Sequence, residues 1–328
     1  MPTNLPPEAQ KIEKRYRVAE SVGEKIACLE ELLAAIPKHK GTDHLRAGYR
    51  RKLSALKAES KTRKGSGKRD SAFRIPREGA GQVAVVGCPN VGKSSLVTAL
   101  TNATPQVSAS PFSTWRPTPG MMPVEDIQVQ LVDTPPLNRE YVEAELLDLI
   151  RRSDLILLVV DLQTDPVHQL EEAIDMLAEH RIVPLHLRAS YAGEERPTLV
   201  PLLVLANKCD DEDSAEDFEI LGELLDGEWP LLPVSAATGR NFDGLKQAVF
   251  EQLGVMRIYT KPPGKPPDLD SPYVMKKGST VEEFASKVHL DFLQGLKAAR
   301  VWGSATHDGQ MVSRDHVLHD GDIVELRT

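Results

Sequence analysis

The sequence predicts an α/β protein. Its central domain is a mostly parallel sheet covered by helices on both faces, with a helical hairpin before it and a small α+β module after it. Three observations carry this reading. From residue 82, short apolar runs alternate with helical stretches. Before that, apolar residues recur at helical spacing from Ile12 to Ile36. After Gly254 the rhythm changes to a Pro/Gly-rich stretch followed by one helix pattern and short strands.

The N-terminal stripe is Ile12, Tyr16, Ala19, Val22, Ile26, Leu29, Leu33 and Ile36, which lies on one face of a helix. Pro37 to Gly41 interrupts it, and Leu45, Tyr49, Leu53 and Leu56 resume it. A short connection between two such helices makes them antiparallel neighbours, so residues 1–60 read as a hairpin. Residues 61–80 are polar, basic and Gly/Ser-containing, as a linker would be. The 81–254 segment carries the strand candidates QVAVV (82–86), IQVQLVD (127–133), LILLVVD (155–161), PLLVLAN (201–207) and LLPVS (231–235). Helix patterns lie between them, among them 141–152, and a closing one runs from Asn241 to Leu253. In 255–328, Thr280 with Glu283 offers a capping box that opens a helix.

Composition bounds the rest. The net charge is -8, but residues 1–80 hold 19 Lys+Arg against 10 Asp+Glu, about +9, leaving 21 against 38, about -17. A basic arm on an acidic body suits an anionic partner; a solvated packing surface is the plainer reading. No apolar run approaches the ~20 residues that span a bilayer. The first residues lack a secretory apolar core. Cys28, Cys88 and Cys209 are far apart and match no disulfide or zinc pattern. A cytoplasmic protein without a membrane partner is the expectation.

Gly87-Cys88-Pro89-Asn90-Val91-Gly92-Lys93-Ser94, continued by Ser95, follows a strand and opens a helix. That is the phosphate-binding loop pattern. Its glycines let backbone N–H groups approach phosphate oxygens, and the helix N-terminus adds a field that favours anions. Lys93 is the candidate for the outer phosphates and Ser94 for Mg2+. Asp133 ends a later strand, where such a protein needs an acid for the metal. Asn207-Lys208-Cys209-Asp210 ends another. A carboxylate at 210 can accept both N1–H and the 2-amino group of guanine, which adenine cannot offer. Two charge-assisted bonds of ~1.5–3 kcal/mol each give strong selection. This speaks against an ATP-dependent kinase. Ser235-Ala236-Ala237 fits a loop whose N–H meets the guanine O6, with Lys208 along the base and Asn207 tying loops together.

These stations, in this order, resemble the TRAFAC GTPases over residues ~82–253. Pro111-Phe112-Ser113-Thr114-Trp115-Arg116-Pro117-Thr118-Pro119-Gly120 is similar to the first switch of the Obg group, which implies that Thr114 completes the magnesium shell with GTP bound. The stretch from Met256 to Gly303 resembles a TGS domain, a ubiquitin-like β-grasp module, as attached to the developmentally regulated GTP-binding (DRG) proteins. The resemblance implies GTP hydrolysis by Lys93, the loop amides, Mg2+ and Thr114, and action on ribosomes or RNA. Asn90 stands where potassium-activated relatives use an asparagine for K+; it either does so or shapes the loop.

Two departures qualify the implied function. The domain that DRG proteins insert in the GTPase region is absent, because only about 40 residues separate Asp161 from the strand at 202–207. The D-x-x-G run is Asp133-Thr134-Pro135-Pro136 here, and Pro136 has no N–H for the γ-phosphate. Losing that bond costs ~1.5–3 kcal/mol, roughly 10- to 100-fold in preference for GTP over GDP. Leu137 follows, where Ras-like proteins place a water-orienting glutamine. A nucleotide-dependent scaffold with little hydrolysis is therefore the alternative to a slow GTPase.

Overall fold

In the computed structural model of the chain, Leu29, Lys52 and residues 73–101, 117–137, 143–191, 196–305 and 307–327 are described. The predicted helical hairpin, residues 61–72 of the basic segment and Thr114 lie outside the described residues. The chain divides between residues 71 and 72, and all the described residues but Leu29 and Lys52 lie in the second unit.

The second unit opens with β1 (Gln82–Val86), whose five residues are all buried, and continues into helix α1 (Lys93–Leu100). A hairpin of β2 (Thr118–Val124) and β3 (Ile127–Asp133) follows, then α2 (Ala144–Arg152), β4 (Leu155–Asp161) and α3 (Pro166–Glu179). β5 (Ile182–Pro184) and β6 (Thr198–Val200) pair in a small sheet of their own. β7 (Leu202–Asn207), α4 (Glu212–Leu224), β8 (Leu231–Pro233) and α5 (Phe242–Leu253) complete the α/β part. The main sheet runs β2-β3-β1-β4-β7-β8, with every neighbouring pair parallel except β2–β3.

This layout follows from the residues. β4 and β7 are buried along their whole length, as central parallel strands covered on both faces must be. Their alternate side chains feed two cores. Ala84, Val86, Ile156 and Leu158 face α2, α3 and α4, meeting Ile150, Leu170, Leu177 and Leu221. Val83, Val85, Leu155 and Leu157 face α1 and α5, meeting Leu96, Leu100, Leu245 and Val249. β2 contains Pro119 and Pro123, which cannot donate to a ladder, and it takes the edge. That edge strand begins within the predicted switch motif, which ends at Gly120, and its prolines hide it from a strand pattern.

The registers bring the functional strand ends level. Asp133 lies opposite Val85 on β1 and Thr118 on β2, and Asn207 lies opposite Asp161. Residues 73–80, at the end of the segment read as a linker, pack onto this body. Phe73 enters the core, and Ala80 N–H donates to the Gln128 carbonyl at 2.7 Å.

The C-terminal module comprises β9 (Val255–Thr260), β10 (Asp268–Lys276), α6 (Val281–Val288), α7 (Leu290–Gly295), β11 (Ala298–Trp302), β12 (Gln310–Val312) and β13 (Asp322–Arg327). Its sheet order is β10-β9-β13-β11-β12, with β13 parallel to β9. The predicted capping box opens α6: the Thr280 hydroxyl accepts from Glu283 N–H, and the Glu283 carboxylate accepts from Thr280 N–H. Phe284 sits fully buried at the centre of this module, edge-on to Tyr273. Val255, the first residue of β9, belongs instead to the α/β core, whereas Met256 and Ile258 join the C-terminal one.

Truncating a fully buried phenylalanine removes its burial and leaves a cavity. Phe284→Ala is expected to cost about 3–5 kcal/mol, read as a lower midpoint in urea denaturation with the secondary structure otherwise intact.

Candidate functional site

The loop between β1 and α1 is shaped by what surrounds it. A Cβ on Gly87 would stand 2.3 Å from the Val159 carbonyl oxygen, and one on Gly92 would stand 2.3 Å from Asn207 Nδ2. Both glycines also hold positive φ, +148° and +93°, where a side chain is strained. Gly92 is the N-cap of α1, so the loop delivers its amides to the positive end of that helix.

Lys93 is buried, and its Nζ donates to the carbonyls of Gly87 at 3.0 Å and Cys88 at 2.8 Å. Burial pulls its pKa down to about 8, although the Asp133 carboxylate works in the opposite direction. The Ser94 hydroxyl donates to Asp133 Oδ2 at 2.6 Å. Asp133 Oδ1 is buried with no hydrogen-bond partner. Burial pushes the Asp133 carboxyl up, opposed by Ser94 and Lys93. A serine hydroxyl beside a carboxylate with an orphaned oxygen is a donor set for a hard divalent cation, so these residues fit Mg2+.

The second half of the site lies at the ends of β4, β7 and β8. Asn207 Nδ2 donates to the Val91 carbonyl at 2.8 Å, while its Oδ1 accepts from Ala236 N–H at 3.0 Å. One buried carboxamide thus joins the phosphate loop to the Ser235-Ala236-Ala237 loop. Ser235 is fully buried; its hydroxyl donates to Asp210 Oδ1 at 2.5 Å and accepts from Thr238 N–H at 3.0 Å. Asp210 itself is exposed, with its carboxylate at the rim.

Sequence reasoning missed two members of this half. Asp161, at the end of β4, holds Lys208 Nζ at 2.5 Å and accepts from Gln163 N–H at 3.1 Å. Its signal was an acid closing the apolar run LILLVVD, level with Asn207. Arg240 Nη1 donates to the Asp211 carbonyl at 2.6 Å and braces the loop that carries Asp210. Cys209 points away from the rim into the core.

The run after Asp133 is fastened to the phosphate loop. Thr134 Oγ1 donates to the Val85 carbonyl at 2.7 Å, and Leu137 N–H donates to the Gly87 carbonyl at 3.1 Å. Leu137 is buried and, with Cys88, Pro89, Ala173 and Met176, borders a cavity of about 270 Å³. The structure therefore brings together the phosphate loop, Asp133, Asn207, Lys208, Asp210 and Ser235 to Ala237, at the strand ends where ligands of open α/β sheets collect.

Residues 82–189 match a family model described as 50S ribosome-binding GTPase, and residues 256–328 match the TGS domain. An uncharacterized GTP-binding protein of Methanocaldococcus jannaschii is 32% identical over 362 residues, covering 93% of this chain and 92% of that protein. The developmentally-regulated GTP-binding protein 1 of Xenopus laevis is 26% identical, covering 92% of this chain and 98% of its own length. The archaeal alignment is longer than the 328 residues of this chain, so that relative carries segments with no counterpart here. Among solved structures, the YchF GTPase of Schizosaccharomyces pombe shares the fold at 14% identity with a TM-score of 0.53, over 77% of this chain and 99% of that one. The chain belongs to the DRG-type GTPases, built from a GTP-binding P-loop domain and a C-terminal TGS domain.

Proposed function

We propose that this GTPase is a slow guanine-nucleotide switch that acts on ribosomes or RNA. The observation that carries the reading is the buried Lys93 and Ser94–Asp133 pair, linked through Asn207 to the loop bearing Asp210. Gly87 to Ser95 cradle the phosphates, and Lys93 exchanges the Gly87 and Cys88 carbonyls for phosphate oxygens. Asp210 reads the guanine edge, amides of Ser235 to Ala237 meet its O6, and Lys208 lies along the base, braced by Asp161. GTPases with a P-loop generally use Mg2+; Ser94 and Asp133 would hold it here, with Thr114 added when GTP is bound. Mg2+ supplies charge neutralisation between the outer phosphates. K+ is the second candidate cofactor, with Asn90 as its ligand.

Turnover is slow because Leu137 is buried where a water-orienting side chain would act. The ribosome or RNA partner is supported by the name of the matching family and by the basic N-terminal arm. No helix among the described residues is long and apolar enough to cross a membrane; we take the cytoplasm as its setting. The working boundaries are 1–60 for the helical hairpin, 61–80 for the basic linker, 81–254 for the GTPase domain and 255–328 for the TGS domain. A second reading is favoured by Pro136: with no N–H to offer, and the Leu137 N–H engaged by Gly87, the protein is a nucleotide-binding scaffold with little hydrolysis.

Three outcomes test this. Asp210→Asn should lower GDP and GTP affinity at least ~100-fold without improving ATP binding, by calorimetry with Mg2+; equal affinities for GTP and ATP in the wild type would refute the guanine assignment. Pro136→Gly should raise the preference for GTP over GDP by roughly 10- to 100-fold and speed single-turnover hydrolysis, whereas unchanged hydrolysis in both Na+ and K+ favours the scaffold.

The third outcome concerns pH. The free protein holds Lys93 with a lowered pKa of about 8, and phosphate raises it again on binding. Nucleotide affinity should therefore fall as pH rises above about 8, with proton uptake seen as a buffer-dependent binding heat. The stability of the free protein should move the other way. The unfolded chain binds more protons between about 8 and 10.5, so the cost of the buried ammonium is relieved there.

A further inference from the structure

The TGS module holds the nucleotide domain at the turn between β2 and β3, among other contacts. Glu125 and Asp126 form the bend between β2 and β3, with Glu125 at a φ of +51°. Arg257, on β9, donates through Nη1 to the carboxylates of Glu125 and Asp126, the latter at 3.0 Å. Its Nε and Nη2 meet both oxygens of Asp320 at 3.1 and 2.7 Å, and its guanidinium lies 5.2 Å from the centre of the Phe250 ring. The Tyr259 hydroxyl donates to Asp126 Oδ2 at 2.5 Å. Burial and then Asp126 push the Tyr259 pKa up to about 12, so the hydroxyl stays a donor at any working pH.

The other end of the same hairpin is the nucleotide site. β2 and β3 pair without a break from Val124 opposite Ile127 to Thr118 opposite Asp133. Asp133 is the carboxylate beside Ser94. Register is set in whole residues, so the turn position constrains how Thr118 on the edge strand meets Asp133 on β3, which β1 holds on its other side. Among the described residues, the run after Asp133 is not free to register a γ-phosphate. Pro136 has no amide, Leu137 N–H is spent on Gly87, and Thr134 is fastened to Val85. The hairpin runs from that site to the turn that the TGS module holds.

We propose that Arg257 and Tyr259 are positioning residues for the nucleotide site: by pinning the Glu125–Asp126 turn they set the hairpin that places Asp133 and Thr118. This rests on the reading of the site given above. Coupling of this kind is reciprocal, so a GTP-dependent shift of the hairpin is felt at the TGS module with the same free energy.

The test uses the full chain with Mg2+ and measures the dissociation constants of GDP and a non-hydrolysable GTP analogue by calorimetry. Arg257→Gln and Asp126→Asn should each shift the ratio of the two constants by roughly threefold or more, in the same direction. The double variant should shift it by less than the sum of the single ones, because both break the Arg257–Asp126 contact. Tyr259→Phe, which removes only a hydroxyl, should shift it the same way by less, and serves if Arg257→Gln does not fold. An unchanged ratio overturns the proposal, whether both constants stay put or both rise together, since a mere structural prop would weaken the two nucleotides equally. Wild-type protein that binds neither nucleotide would instead sink the reading of the site, and the proposal with it.

Discussion

The carboxamide of Asn207 has one donor end on the Val91 carbonyl and its acceptor end on the Ala236 amide. Phosphate loop and base loop are separated by more than a hundred residues of chain, yet their spacing is set by this one planar group. The rest of the site is arranged around it. Gly92 is a glycine because the carboxamide occupies the space its side chain would need. β4 ends level with β7, so Asp161 is where it can hold Lys208, the residue after Asn207. A side chain that is buried, fully bonded and rigid at both ends costs nothing to reorganise when a ligand arrives.

The electrostatics of the same site point the other way: they are unresolved without a ligand. An ammonium is buried against carbonyl oxygens, and a carboxylate oxygen is buried against nothing. Each is a cost to the folded chain that a phosphate and a divalent cation would remove. This is the usual relation between functional sites and stability, where the fold carries local disfavour for the sake of binding. The two halves divide the labour, with rigid hydrogen bonds fixing distances and poorly solvated charges supplying the attraction.

Much of this was legible in the amino-acid order. Lys93 was readable from its glycine-rich loop, and Asp133 and Asn207 because each ends an apolar run, since strand ends in a parallel sheet converge whatever fills the connections. The Thr280–Glu283 capping box was readable because it is local. What escaped notice depended on partners distant in sequence. Asp161 looked like an ordinary strand terminus until Lys208 was found beside it. β2 was hidden by Pro119 and Pro123, which lower strand propensity but are harmless on an edge. Arg257 was one basic residue among many until the fold brought Glu125, Asp126 and Asp320 around it.

The border between the two modules deserves a different description from the one a motif boundary gives. The sequence changes character at Gly254 and the TGS match begins at residue 256, but the hydrophobic interior does not divide there. Val255 fills the nucleotide-binding body while its next neighbour fills the TGS body. A protease that nicked the chain at the glycine would therefore free neither half cleanly, since one fragment would carry away a plug belonging to the other. Mechanically, the seam between the modules lies one side chain inside the second.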